Sequence, residues 1–356
     1  MLVLGRSPQT AARLLHRQHR ELSSPESPSF GRDRKARGHA LAMTEWMHEY
    51  VVLERERAIG RTSELLAEVR AGRLVRASRG VYRWAAARTN DPDRRADDEY
   101  VARIRGASLR ASGPFIVAGM SAAALWQLPV LGNWPESVMV SSPRAAGGRS
   151  NAHLSRSYVG YRPPTQLVDG LTVTTLARTV ADVARCETME RAVAVADAAL
   201  RGRRAEPGAR ARKPITKAAI HRELDSLGAA PGIARARGVI AFADGASGSA
   251  GESGSRVTIR RCGLPAPVLQ QRFEDAEGLI GFTDFWWPGA GTVGEFDGRG
   301  KYLREEFANG RTVAQIVVDE KVREDRLRAL GLKVVRWGWR DALDARALGA
   351  KLRGMS

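Results

Sequence analysis

The stretch LIGFTDFWWPGAGTVGEFDG, Leu279 to Gly298, decides how the C-terminal part of this chain is read. Apolar residues alternate from Leu279 to Trp287, Pro288-Gly289-Ala290-Gly291 interrupts them, and Thr292 to Phe296 resumes the pattern. Two such runs around a break of turn residues predict a β-hairpin. A symmetric register sets Trp287 opposite Thr292, Asp284 opposite Glu295 and Phe282 opposite Asp297. Side chains alternate faces along a strand, so Asp284, Glu295 and Asp297 then point to one side of the sheet.

Like charges directly opposite one another destabilise a strand pair, and unneutralised acids raise one another's pKa. A hard divalent cation, Mg2+ or Mn2+, relieves this, because it accepts carboxylate oxygens and water as ligands. The competing reading is a solvated face on which the acids tolerate each other. The flanking Phe282, Phe285, Trp286, Trp287 and Phe296 favour a mostly buried sheet instead.

Downstream, the periodicity predicts a helix over Val313 to Leu330, closed by Gly331. Ile316, Glu320, Arg323, Leu327 and Leu330 share one face. Glu320 and Arg323 either pair with each other or face the carboxylates or a scissile phosphate. Lys333 to Trp337 reads as a strand returning beside the hairpin.

Outward from this segment, the 356 residues suggest two or three domains. No apolar run approaches the ~18 residues that a membrane span needs, so no membrane partner is expected. Lys and Arg number 57 against 39 Asp and Glu, a formal charge of +18. Such an excess points to a polyanionic partner, although Arg-rich coding can produce it too. Two cysteines, Cys186 and Cys262, are too few for a disulfide framework and fit a reducing cytoplasm.

The expected organisation is a multidomain α+β or α/β chain. Residues 1–42 read as a disordered basic tail, or as residues ahead of a true start at Met43 or Met47. Residues 43–90 read as a helix-turn-helix with a wing. In it Thr62 or Ser63 caps a helix over Glu64 to Ala71, and a hairpin turns at Ala77 to Arg79. Arg61, Arg70, Arg73, Arg76 and Arg79 are its candidate phosphate contacts, with a merely solvated basic face as the alternative. Residues 91–202 form a mixed segment without a catalytic constellation, 203–248 a basic linker and a helix, and 249–356 a mixed sheet flanked by helices. Gly245 to Gly254 reads as a flexible joint.

Two resemblances follow from these residues. RAGRLVRASRGVYR, Arg70 to Arg83, resembles the N-terminal winged helix of the abortive-infection antitoxin AbiEi family, and Gly170 to Ala184 resembles that family's second domain. Glu252, Asp284-Phe285, Glu295-Phe296-Asp297-Gly298, Lys301-Tyr302, Glu320 to Arg323, Leu327, Gly331 and Val334-Val335-Arg336-Trp337, in this order, resemble the endonuclease-like domains related to very-short-patch repair nucleases. These belong to the PD-(D/E)XK restriction-endonuclease-like superfamily. The second resemblance implies Asp284 and Glu295 as metal ligands and Glu252 as an accessory acid from the preceding helix; Asp297, which the register sets on the same side of the sheet, is a third candidate ligand.

Asp297 stands where the superfamily often carries Lys. Lys301 is the first choice for the missing cation and Lys321 the second; otherwise the site binds metal without cutting. The implied activity is Mg2+- or Mn2+-dependent hydrolysis of DNA, with RNA open, in a phage-defence or toxin-antitoxin setting that would supply a toxin or antitoxin partner. The rival expectation is a non-catalytic DNA-binding regulator or antitoxin that keeps the nuclease fold as a platform.

Overall fold

The computed structural model describes residues 46–85, 91–142, 153–157, 163–206, 209–298 and 312–353. The tail expected over 1–42, Met43, Lys301 and Tyr302 lie outside the described residues. The described residues make a mixed α+β chain in two compact units, one from 46–85 with 169–171 and the other from the remainder. Among them, no helix is long and apolar enough to cross a membrane.

The first unit runs β1 (Tyr50–Val52), α1 (Leu53–Ala58), α2 (Thr62–Arg70), β2 (Leu74–Ser78) and β3 (Val81–Trp84). The strands form an antiparallel sheet in the order β1-β3-β2 over a small core of Val52, Leu65, Leu74 and Val81. Strand β1 is new relative to the sequence reading, since three residues are too few to display alternation. Helix α2 starts at Thr62 rather than after it: Arg61 takes the N-cap position, and neither hydroxyl caps the helix. The hairpin is also tighter than expected, with Ser78 already paired to Val81.

The second unit begins with α3 (Pro92–Ser108), β4 (Ile116–Val117), α4 (Gly119–Leu125), β5 (Val138–Ser141), β6 (Leu154–Ser157), β7 (Thr165–Val168) and β8 (Leu171–Thr174). Its first sheet is mixed, in the order β6-β5-β4-β8-β7. The helices α5 (Leu176–Cys186), α6 (Met189–Arg201), α7 (Lys217–Ser226) and α8 (Ile233–Phe242) follow. They pack, with α4, around an aliphatic core that includes Met120, Val180, Val193, Ile220 and Ile240. The expected single helix within 203–248 is thus a pair, and Arg203 and Arg212 pair as an antiparallel bridge instead of trailing as an open linker.

Then come α9 (Ala250–Arg261), β9 (Val268–Asp275), β10 (Gly278–Trp287), β11 (Thr292–Asp297), α10 (Val313–Ala329), β12 (Lys333–Gly338), α11 (Trp339–Ala342) and α12 (Ala345–Leu352). The sheet order is β12-β11-β10-β9, with β11 and β12 parallel and the other pairs antiparallel. One face carries Phe285, Trp287, Phe296 and Trp337 against Ile259 of α9, and the other carries Ile280 and Val293 against Leu327 of α10. Helix α10 presents the expected face, except that Leu330 is an exposed cap residue.

Helix α9 overturns the reading of Gly245 to Gly254 as a loose joint. Its sequence, AGESGSRVTIRR, is a poor intrinsic helix former. Ser249 accepts from the Glu252 N–H at its start, and every residue from Gly251 to Ile259 is buried, so packing outweighs propensity. The glycines are there for approach: a Cβ on Gly251 would lie 2.0 Å from Phe296 Cε1, and one on Gly254 2.8 Å from Leu343. Val257 of α9 belongs to the helical core and Ile259 to the aromatic core of the sheet. The boundaries expected at 202 and 248 therefore fall inside one compact unit.

This contact yields a paired prediction. Gly251→Ala is expected to destabilise the chain by about 1 to 3 kcal/mol, because overpacking exceeds the roughly 1 kcal/mol gained in helix propensity. Gly238→Ala, in an exposed stretch of α8 with nothing within 4 Å of the added methyl, should instead stabilise by about 0.5 to 1 kcal/mol. Urea denaturation of both variants measures the two signs.

Candidate active site

The hairpin has the expected register at its turn, with Trp287 opposite Thr292 and Phe285 opposite Gly294. There the ladder stops. Strand β11 continues along β12 as far as Asp297 and Gly338, while β10 continues along β9, so β10 and β11 part beyond Phe285. Asp284 sits at the parting point. Its Oδ2 accepts from the Phe296 N–H at 2.8 Å, in place of the backbone carbonyl that would have continued the ladder.

The other oxygen of Asp284 turns toward α9. The Gln270 amide Nε2 donates to Asp284 Oδ1 at 3.2 Å and to Glu252 Oε2 at 3.1 Å, so one N–H2 group is shared by two carboxylates from different elements. The Gly248 N–H also donates to Glu252 Oε2, at 2.6 Å. Gln270 holds this position with a left-handed backbone, φ 50, which non-glycine residues seldom adopt. Glu252 and Asp284 are each only 7% exposed, and Glu295 3%. Burial and the glycines of α9 thus bring Glu252 into the site, although those glycines make the helix weak on sequence grounds.

Glu295 faces α10. Arg323 Nη2 donates to Glu295 Oε1 at 2.8 Å and to the Phe282 carbonyl at 2.7 Å, so its guanidinium fills the gap between the parted strands. The same guanidinium pairs with Glu320 at 3.1 Å, which makes both sequence-level alternatives for Arg323 hold together. Burial works against the Arg323 charge, but Glu295 and Glu320 more than offset it and hold its pKa above the ordinary value. Arg326 anchors the next turn of α10 on Asp275 at 2.5 Å, which fixes the helix over the sheet.

Asp297 is held elsewhere. Arg336 on β12 pairs with Asp297 at 3.0 Å, with Glu324 at 2.8 Å and with Glu320. The structure therefore groups Asp284 with Glu252 through Gln270, Glu295 with Arg323, and Asp297 with Arg336. Among the described residues, no three Asp, Glu, His or Cys side chains form a ready metal cage. Lys321 lies exposed on α10.

Sequence reasoning missed two members. Gln270 lies on β9 between Leu269 and Gln271, the partners of Phe285 and Thr283, a position that an uncharged amide in an unremarkable strand does not advertise. Arg201, at the end of α6, donates to the Ser247 carbonyl; burial lowers its pKa while Glu252 and Asp197 work to raise it. It places a second cation near Glu252, and its signal was hidden in a basic run that reads as linker.

Carboxylate oxygens that converge on one donor can accept a hard divalent cation in that donor's place, since such cations take oxygen ligands and tolerate few others. A guanidinium nearby can donate to charge developing on an anionic substrate.

In the first unit, Arg73 forms a two-point pair with Glu68 at 2.6 and 2.8 Å, and Arg61 pairs with Glu64 at 2.9 Å. The Glu68 carboxyl is held below its usual range by that hydrogen bond. Arg70 and Arg76 donate instead to the carbonyls of Leu66 and Ser78, and both are exposed, as is Arg79.

No family model matches the chain. Two proteins of Mycobacterium tuberculosis, one from strain CDC 1551 / Oshkosh and one from strain ATCC 25618 / H37Rv, are each 34% identical to it over 171 residues. Both are described as uncharacterized proteins. The match covers 45% of this chain and 59% of each relative, so the chain spans about three fifths of the length of the curated relatives it matches.

Proposed function

We propose that the chain is a metal-dependent endonuclease acting on DNA, with a restriction-endonuclease-like C-terminal fold and a winged helix-turn-helix at 46–85. The observation that carries this reading is the pair of buried carboxylates, Glu252 and Asp284, sharing the Gln270 amide where β10 and β11 part. Two ionised acids in such surroundings are costly unless a cation or donors balance them. Their oxygen chemistry fits Mg2+ or Mn2+, with Asp284 and Glu252 as the holding residues and Glu295 the next acid along. When bound, such an ion supplies Lewis-acid stabilisation of the phosphate and lowers the pKa of water.

The chain's own residues have separate tasks. The Phe296 N–H fixes the rotamer of Asp284. Gln270 spaces Asp284 from Glu252. Arg323 takes the role expected of a lysine, because its guanidinium is held in the fork by Glu295 and can donate to charge on the scissile phosphate. Incubation of the chain with plasmid and Mg2+ or Mn2+ is expected to give nicked or linear product, and EDTA to stop it. Absence of cleavage of DNA with either metal would overturn the reading; cleavage of RNA alone would reassign the substrate.

The second reading is a non-catalytic DNA-binding regulator or antitoxin. The observation that favours it is the neutralisation of Glu295 and Asp297 by Arg323 and Arg336. Such a protein binds the plasmid without cutting it under any metal.

Under either reading the first unit binds DNA through its exposed arginines. Arg70→Ala and Arg76→Ala are each expected to weaken binding regardless of sequence and to reduce the slope of log affinity against log salt by about 1. Arg61→Ala and Arg73→Ala should do less, since those side chains already serve Glu64 and Glu68. Fluorescence anisotropy across a salt series separates the two groups.

A further inference from the structure

The Gln270 side chain is turned against the alternation of its strand. Its neighbour Leu269 packs on the aromatic core beside α9, so plain alternation would send Gln270 to the opposite face of the sheet. A left-handed backbone at this residue, φ 50, lets its carboxamide reach Glu252 of α9 as well as Asp284 of β10. A non-glycine residue is kept in that conformation only where its surroundings over-determine it, and such positions gather at active sites and ligand clamps.

The spacing of this amide suits more than hydrogen bonding. Gln270 Nε2 lies 3.1 Å from Glu252 Oε2 and 3.2 Å from Asp284 Oδ1. Ligand oxygens on adjacent corners of an octahedral Mg2+ shell, each about 2.1 Å from the ion, are about 3.0 Å apart. Nε2 thus stands from each acid at the distance of a neighbouring ligand oxygen. The oxygen that can take that place belongs to the same group. The terminal torsion of a glutamine is roughly two-fold, so half a turn exchanges Oε1 for Nε2 without moving the backbone. Among the described residues, Asp, Glu, His and Cys make no group of three that could hold a metal. A carboxamide oxygen is as hard a ligand as a carboxylate oxygen and completes the set.

Thr283 gives a separate sign. It precedes Asp284 and, by alternation, shares the α9 side of the sheet with Phe285. It is fully buried, and its Oγ1 has no hydrogen-bond partner. A buried hydroxyl without a protein partner is ordinarily served by water or an ion, and Mg2+ keeps several of its waters when it binds.

We propose that Gln270 is the third protein ligand of the divalent cation: its carboxamide turns over as the ion enters, Oε1 joins Asp284 Oδ1 and Glu252 Oε2, and a water on the ion meets Thr283 Oγ1. The inference rests on the metal-dependent reading above. Without the ion, the N–H2 edge of the amide balances the two acids; with it, the oxygen edge faces the charge. A donor that merely spaced the acids would compete with the cation, and removing it would tighten binding. Removing a ligand loosens it, so the two roles differ in sign.

The test is Mn2+ uptake by the full chain without DNA, read from the electron paramagnetic resonance of the free ion. Gln270→Met keeps the length of the side chain and removes its oxygen. Gln270→Asn, a residue that takes the left-handed backbone more readily, withdraws the oxygen by one methylene. Each is expected to bind Mn2+ more weakly by about tenfold or more. Gln270→Glu, which fixes a charged oxygen in the same place, should bind about tenfold more tightly and melt at a lower temperature in EDTA, a loss that Mn2+ restores. Urea melts in EDTA verify the fold of the Met and Asn variants. Undiminished or tighter binding in either folded variant, or no gain in Gln270→Glu, would overturn the proposal and leave the metal-dependent nuclease standing. The expected shifts without any cleavage of DNA would keep the ligand set and remove the nuclease, and no Mn2+ uptake by the unsubstituted chain would end both.

Discussion

Asp284→Asn is expected to lower metal-dependent cleavage by about a thousandfold, the equivalent of roughly 4 kcal/mol in the barrier. The side chain keeps its shape but loses the charge that a divalent ion requires. Its amide also cannot accept from both Phe296 N–H and Gln270 Nε2, as the carboxylate does. Asp297→Asn is the informative control. Its carboxylate is bound to Arg336 at 3.0 Å, and its loss should cost less than about tenfold, the lower end for an outlying partner. Single-turnover nicking at matched metal concentration compares the two, with urea melts to confirm folding. Equal damage from both substitutions would return the metal to the strand-borne trio, and undiminished cleavage in Asp284→Asn would remove the site altogether.

The largest effect on stability is expected from Asp197→Ala. Asp197 is fully buried on α6, and it accepts from Arg256 Nη1 at 2.7 Å, Ser253 Oγ at 2.8 Å and the Asp244 N–H at 2.7 Å. Burial pushes its carboxyl up, while Arg256, the Asp244 amide and Ser253 pull it down. Truncation leaves the Arg256 charge buried without its acid, which costs about 3 to 5 kcal/mol, a large part of the 5 to 15 kcal/mol that separates a typical native state from the unfolded chain. Replacing both partners at once, as Asp197→Leu with Arg256→Met, should recover much of that loss, since two matched apolar groups leave no orphaned charge. The urea midpoint of each variant reports this. A loss under about 1 kcal/mol in Asp197→Ala would show that Phe242, whose carbonyl and ring also meet Arg256, suffices alone.

Much of the C-terminal sheet was legible because alternation and turn residues are local signals. Trp287 opposite Thr292 follows from the loop alone, and the face of α10 from its period. What the sequence concealed is where pairing ends. Continued outward, the register keeps Asp284, Glu295 and Asp297 together, but the strands part after Phe285 and each acid finds another partner. Those partners come from elements far along the chain: Glu252 from α9, Arg323 from α10 and Arg336 from β12. Lys301 lies outside the described residues, whereas Arg323 reaches across the fork to Glu295. Glycines misled most in α9, where Gly251 and Gly254 suggest a hinge and in fact permit contact with Phe296 and Leu343.

Helix α9, with Val257 in one core and Ile259 in the other, also bears on how such a protein can be cut and recombined. A fragment beginning at residue 249 would carry Glu252, Asp284 and the sheet, yet expose the side of α9 that α6 normally covers. Transplanting the C-terminal portion onto a new carrier therefore requires taking the preceding helices along, and the natural unit of exchange begins well upstream of the glycine-rich stretch.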